Sequence, residues 1–184
     1  MKGRKSKSWA MAYCGMAAAL SVALMLLGAV FPIAMFIAPA VASFLIATVC
    51  VECGKTMALT AYGAVSLLSL LFVPDKEVAL TFVFLLGYYP LQSLISSGYA
   101  RPAAAVCKLL LCNGGILAMY GLVLLLVPAG SIAEELRTTA LAVSLVTLAM
   151  GNAAFLLYDR ALHNMLMLYK VVWQPRLHKM LGVH

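Results

Sequence analysis

Long stretches without a charged residue constrain this chain more than any other feature of its sequence. The uncharged stretches cover residues 8–51, 56–74, 78–100, 109–133 and 138–158. A helix that crosses the hydrocarbon core of a membrane needs roughly 20 apolar residues, so the first stretch is long enough for two helices. The pattern therefore predicts six helices of about this length, at about 9–31, 34–51, 56–73, 78–98, 103–127 and 139–160.

The amino-acid composition indicates the same class of protein. Of the 184 residues, 65% are hydrophobic and 10% are charged, and the mean hydropathy is +1.03. A soluble domain is about 45–50% apolar and about 25% charged. The apolar runs also do not alternate with polar residues, as the strands of a membrane barrel do. We predict an all-α integral membrane bundle of six transmembrane helices over residues 9–160, between a basic arm at 1–8 and an amphipathic tail at 161–184.

Basic residues orient the predicted bundle. With the amino terminus inside, only Lys76 and Arg137 of the 13 Lys and Arg residues lie outside. The positive-inside rule favours this arrangement, in which both termini are cytoplasmic. Tyr169 and Trp173 would then anchor the tail at the inner membrane surface. The net charge of +7 is therefore an orientation signal, which implies membrane lipid and not nucleic acid as a partner.

Two of the three predicted outer loops, between helices three and four and between helices five and six, contain most of the acidic residues. Pro74 and Asp75 suit a solvated turn. Acidic residues contribute little to membrane orientation, however, so the rule does not explain their clustering. The alternative is a ligand site that faces outward. The charged residues of the two loops are Asp75, Lys76, Glu77, Glu134, Glu135 and Arg137.

Polar side chains also occur deep within the predicted helices. Tyr88 and Tyr89 lie too far inside helix four for an interfacial belt, and their hydroxyls need hydrogen-bond partners. Asn113 and Asn152 fall near the middle of helices five and six, with Tyr120 nearer the outside. The two amides either pair with each other across the helices or form the floor of a ligand site that opens outward.

Prolines predict irregularities in two helices. Pro32 and Pro39 fall near the start of helix two, and Pro90 falls within helix four. Proline removes a backbone donor and disfavours a straight helix. Non-helical backbone at membrane depth is tolerated only where protein covers it or where it lines a cavity. We expect a broken start to helix two and a kink in helix four, whose freed carbonyls find other donors.

Helix one carries small residues at every fourth position. Gly15, Ala19 and Ala23 share one face of this helix. Small residues allow helices to approach closely in lipid. This face, the small-residue face, serves either packing within the chain or contact with a partner subunit.

No residue pattern in the chain indicates catalysis. Cys50 and Cys53 form a CxxC pair, but the predicted topology places them in the cytoplasm, where thiols stay reduced. The three histidines lie in the tail at no familiar zinc-ligand spacing. No glycine-rich phosphate loop is present. We predict no enzyme activity, no metal and no cofactor.

The first two helices carry a resemblance to a known family. "MAYCGMAAALSVALM", with its AxxxA face at Ala19 and Ala23, and the following "FPIAMFIAPAVASFL" resemble the substrate-binding S component of energy-coupling factor (ECF) importers. The resemblance extends to six short helices with both ends inside. It implies a bacterial cell-membrane protein that captures a vitamin-like or other small polar micronutrient at the outer face. It also implies that helix one contacts a transmembrane coupling subunit, and that two cytoplasmic ATPases drive transport.

By the same resemblance, the substrate site takes in both outer loops and the neighbouring polar side chains. Its residues would be Asp75, Lys76, Glu77, Tyr88, Tyr89, Asn113, Tyr120, Glu134, Glu135, Arg137 and Asn152. The alternative is a structural protein similar to the MreD-like rod-shape membrane proteins, which bind protein partners and transport nothing. A binding protein should have a closed outer cavity with converging polar groups. A scaffold should expose an apolar groove for its partner.

Overall fold

The computed structural model describes residues 7–31, 34–88, 92, 101–126 and 141–176. Within these ranges the chain is all-helical, as predicted, with six helices and no strand. The helices are α1 (Lys7–Val30), α2 (Ile37–Cys53), α3 (Lys55–Phe72), α4 (Lys76–Thr81), α5 (Arg101–Leu126) and α6 (Leu141–Leu168). Two of them, α4 and α6, continue directly into π-helical segments at Phe82–Leu86 and Tyr169–Trp173.

Two of these helices, α1 and α3, are long and apolar enough to cross a membrane, judged on the described residues by length and composition. In each, 22% of the apolar window is buried within the chain. The other residues of each window are partly or fully exposed in the described chain. Two further apolar segments, Ile37–Cys53 and Val106–Met119, are shorter.

The core lies among α1, α2 and α3, which all pack against one another. Met25, Ile46 and Val65, one from each helix, are fully buried there. Small residues bring α1 and α2 together. A β-carbon added at Gly28 would lie 2.3 Å from the β-carbon of Ala38. The two helices therefore meet at a distance that only glycine allows at this position.

A single residue, Gly54, separates α2 from α3. Its φ of 93° and ψ of 169° lie in a region that is essentially restricted to glycine. The short connection between these helices therefore depends on glycine at this position.

Helix α2 is more regular than its prolines predict. Pro39 is fully buried in the first turn of the helix. Backbone N–H groups in a first turn have no intrahelical acceptor, so proline costs no hydrogen bond there. The helix is unbroken at Pro39, and the irregular start that we expected lies just before the helix, at residues 34–36, which are not α-helical. Pro32 and Pro90 lie outside the described residues.

Helix α6 does not end at residue 160. It continues to Leu168, and Leu162 and Leu166 pack against Ala47 of α2. Tyr169 is 6% exposed and Trp173 is 61% exposed. The expectation that Tyr169 anchors the tail at a membrane surface is wrong, because its side chain lies inside the bundle. The division of the chain at residue 160 remains a prediction.

Candidate functional site

The charged segment at Asp75–Glu77 joins two helix ends. Asp75 Oδ1 accepts a hydrogen bond from the backbone N–H of Glu77 at 2.9 Å, and so caps α4. Lys76 Nζ donates to the carbonyls of Leu70 at 2.9 Å and Val73 at 3.1 Å. These carbonyls lie at the end of α3, where intrahelical donors run out. The contacts match the turn interpretation, and a role for this segment in ligand binding remains a prediction.

The π segment at Phe82–Leu86, which follows α4, lies within the stretch predicted as the fourth helix and departs from α-helical hydrogen bonding. The N–H of Gly87 donates to the Phe82 carbonyl at 2.6 Å, one residue further back than in an α-helix. The Val83 carbonyl thereby loses its α-helical donor, and the Tyr62 hydroxyl of α3 donates to it at 2.6 Å. The carbonyl that the π segment frees thus finds a donor on a neighbouring helix, whereas the kink expected at Pro90 lies outside the described residues. Such π segments occur frequently at functional sites.

Tyr88 follows the π segment and is 7% exposed. Its ring stacks on Phe155 of α6, with ring centroids 6.2 Å apart. Its hydroxyl has no hydrogen-bond partner in the part of the chain that the structure describes. A buried hydroxyl without a partner is costly. Tyr88 is therefore the predicted site residue whose geometry most favours a ligand.

A pocket of about 410 Å³ lies between the π segment and α5, with Val83, Phe84 and Tyr88 on one side. Gly114 and Gly115 line the other side. The volume is within the range of small-molecule sites. Apart from Tyr88, these wall residues contribute no polar side chain, so the pocket is apolar and open rather than closed and polar.

Asn113 and Asn152 pair with each other. Asn113 Nδ2 donates to Asn152 Oδ1 at 3.1 Å, and Asn152 Nδ2 donates to Asn113 Oδ1 at 3.0 Å. Each Nδ2 also donates at 2.9 Å to a carbonyl of its own helix, Leu109 or Leu148. Of the two alternatives, the structure shows the interhelical pair, and a role for the two amides in ligand binding remains a prediction. Both N–H groups of each amide are occupied, so a ligand would have to compete with these bonds.

An ion pair within the helices was missed by the sequence analysis. Lys108 Nζ contacts Asp159 Oδ1 at 3.0 Å and Oδ2 at 2.9 Å, and Gln92 Nε2 donates to Oδ1 at 3.2 Å. The two charged side chains are 27% and 26% exposed. Ionisable residues within apolar helices usually have a structural or transport role. The sequence signal for this pair is the opposite charge of Lys108 and Asp159, which border two long apolar stretches.

A second polar cluster joins α1, α2 and the end of α6. The Tyr13 hydroxyl donates to Thr48 Oγ1 at 3.1 Å and lies 3.1 Å from the Tyr169 hydroxyl. The Tyr169 hydroxyl donates to Glu52 Oε1 at 3.2 Å. Burial raises the pKa of Tyr169, so its hydroxyl keeps the proton that it donates. The only sequence signal was an acidic residue, Glu52, at the end of a long apolar helix.

The small-residue face of α1 is not used for packing within the described chain. Gly15, Ala19 and Ala23 are exposed, and a β-carbon at Gly15 would have no atom within 4 Å. The opposite face of α1 is buried instead, through Ala17, Ser21, Met25 and Gly28. No described residue packs closely on this face, and of the two alternatives both packing against the rest of the chain and contact with a partner remain predictions.

Several predicted site residues fall outside the described residues, namely Tyr89, Glu134, Glu135 and Arg137, together with the side chain of Tyr120. In the ranges that the structure describes, no three His, Cys, Asp or Glu side chains cluster as a metal site. Cys50 and Cys53 are not joined by a disulfide bond.

Comparison with protein families, with curated proteins and with solved structures found no match to this chain. Its function is therefore inferred from its residues and their geometry.

Proposed function

We propose that this chain is the substrate-binding S component of an ECF-type importer in a bacterial cell membrane. All six helices would cross the membrane, with both termini in the cytoplasm. The all-helical fold, the two helices of spanning length and the outward-facing apolar surface support a membrane location. The distribution of lysine and arginine supports the orientation.

The observation that carries the proposal is the exposed small-residue face of α1. Ala19 and Ala23 are exposed although α1 buries other small residues on its opposite side. Small residues on a lipid-exposed face let a second helix approach closely, and van der Waals packing then favours association. The proposed partner for this face is a transmembrane coupling subunit, which two cytoplasmic ATPases would drive.

The proposed substrate is a vitamin-like or other small polar micronutrient, taken up at the outer face. The unpartnered hydroxyl of Tyr88 supports a polar ligand, since such a ligand would supply the missing hydrogen bond. The charged loop residues would contact the ligand from outside. Their mixed signs, in Asp75, Lys76 and Glu77, suit a zwitterion or a cation.

Purification from the native membrane tests this proposal. The tagged chain would be extracted in mild detergent, and co-purifying proteins and small molecules would be identified by mass spectrometry. We expect a transmembrane subunit, two ATPases and one retained metabolite. Recovery of cell-wall or cytoskeletal proteins, without an ATPase or a metabolite, would contradict the importer function.

A scaffold similar to the MreD-like proteins is the second candidate. The pocket between the π segment and α5 favours it, since this pocket is open and mostly apolar. The charged side chains of Asp75 and Lys76 also serve as helix caps. In this case the same purification would recover protein partners only, and substitution of Tyr88 would change no ligand affinity.

A further inference from the structure

One end of the bundle brings together the start of α1 and the end of α6. The Tyr13 and Tyr169 hydroxyls lie 3.1 Å apart. Trp9 stacks on Tyr13, with ring centroids 5.4 Å apart. Trp173 follows Tyr169 within the π segment and is 61% exposed. Both tryptophans of the chain therefore lie at this end.

The same end carries basic side chains without acidic counterparts. Lys7, Lys170 and Arg176 are exposed, and none of them forms an ion pair with another described residue. No acidic residue follows Asp159 in the sequence. Glu52, which also lies here, is 8% exposed and accepts the hydrogen bond from Tyr169. The accessible charge at this end is therefore positive.

The end of α6 also exposes large apolar side chains beside these charges. Leu168 is 58% exposed and Val171 is 73% exposed, while Leu162, Leu166 and Tyr169 turn inward. A helix with basic residues and exposed apolar or tryptophan side chains is typical of a membrane interface. The hydrogen bonds of Tyr169 fix which side of this helix faces outward.

We propose that this end of the bundle binds the anionic headgroups of a lipid bilayer. The interfacial cluster comprises Lys7, Trp9, Lys170, Trp173 and Arg176. Tryptophan favours headgroup depth because its ring is apolar and its N–H donates a hydrogen bond. Lysine and arginine beside it attract anionic lipid at short range. The inference goes beyond the importer function, since it applies equally to a scaffold.

Tryptophan quenching by brominated lipid tests this proposal. The full chain with Trp9→Phe retains Trp173 as its one tryptophan and keeps the ring that stacks on Tyr13. It would be reconstituted in vesicles of phosphatidylcholine and phosphatidylglycerol at fixed proportions. Bromine would be placed on the acyl chains of one lipid or of the other. We expect brominated phosphatidylglycerol to be enriched about two- to fivefold at Trp173 over its bulk fraction.

Charge variants identify the source of the enrichment. The change Lys7→Gln/Lys170→Gln/Arg176→Gln should abolish it, and so should high salt, because screening weakens exposed charges. Lys76→Gln removes one charge at the α3–α4 connection and should leave the enrichment intact. Equal quenching by both lipids would overturn the proposal, as would enrichment that survives the triple change. Trp173 emission that neither lipid quenches would place this end against protein or water, and would also overturn it.

Discussion

Two tyrosines near the π segment differ in what their hydroxyls do. The Tyr62 hydroxyl donates to the Val83 carbonyl, and the Tyr88 hydroxyl has no partner among the described residues. Tyr62→Phe should therefore lower the free energy of unfolding by about 1 kcal/mol. Tyr88→Phe should leave it unchanged or raise it, because the change removes an unsatisfied buried group. Unfolding in mild detergent with increasing SDS measures the stability of both variants. Equal losses of stability would show that the two hydroxyls do not differ in their hydrogen bonding.

The paired amides give a second prediction. Asn113→Leu leaves the Asn152 side chain without its partner, and should lower the free energy of unfolding by about 0.5–2 kcal/mol. Asn113→Leu/Asn152→Leu should recover part of this loss, since neither helix then carries an unpaired amide. The same unfolding assay measures the stability of the single and the double variant. Unchanged stability together with lost ligand binding would instead indicate that the amides form a ligand site.

The amide pair was predictable from the sequence and the ion pair was not. Asn113 and Asn152 each fall in the middle of a long apolar stretch, where an amide needs a partner. Lys108 and Asp159 border their apolar stretches, so each could equally have been solvated. Their pairing depends on how α5 and α6 are positioned along each other. This relative position cannot be predicted from the local sequence of either helix.

Adjacent glycines of α5 should respond in opposite directions to the same change. A β-carbon at Gly115 would lie 2.3 Å from the Phe84 carbonyl oxygen, whereas one at Gly114 meets nothing within 4 Å. Gly115→Ala must displace backbone and should cost about 1–3 kcal/mol. Gly114→Ala should stabilise by up to about 1 kcal/mol through helix propensity. Thermal unfolding measures both, and a shift in the same direction would show that α5 does not meet the π segment here.

Helix positions were easier to predict than helix orientations. Lysine or arginine stands at the start of four helices and Gly54 at the end of α2, although α6 continues past Arg160. Helix α1, however, is apolar on all sides, so its pattern does not identify the inward face. Small residues occur both on the exposed face, with Ala19, and on the buried face, with Ala17 and Ser21. The π segment at Phe82–Leu86 was also unforeseen, because Pro90 indicates an irregularity without giving its position.

For the whole molecule, polar contacts between helices supplement the apolar core that α1, α2 and α3 share. Tyr62 ties α3 to the π segment, Asn113 ties α5 to α6, and Tyr13 ties α1 to the end of α6. In an apolar environment such contacts specify packing, since apolar faces alone discriminate poorly between neighbours. The small-residue face of α1 takes no part in these contacts. We propose that this face binds a coupling subunit.

Photocrosslinking in the native membrane tests whether this face contacts a coupling subunit. A photoreactive amino acid would replace Ala19 on the small-residue face. In a matched control it would replace Ala64, an exposed alanine of α3. We predict a crosslink from position 19, and not from position 64, to one membrane protein that co-purifies with two ATPases. Crosslinks to lipid alone, or the same protein from both positions, would contradict the claim.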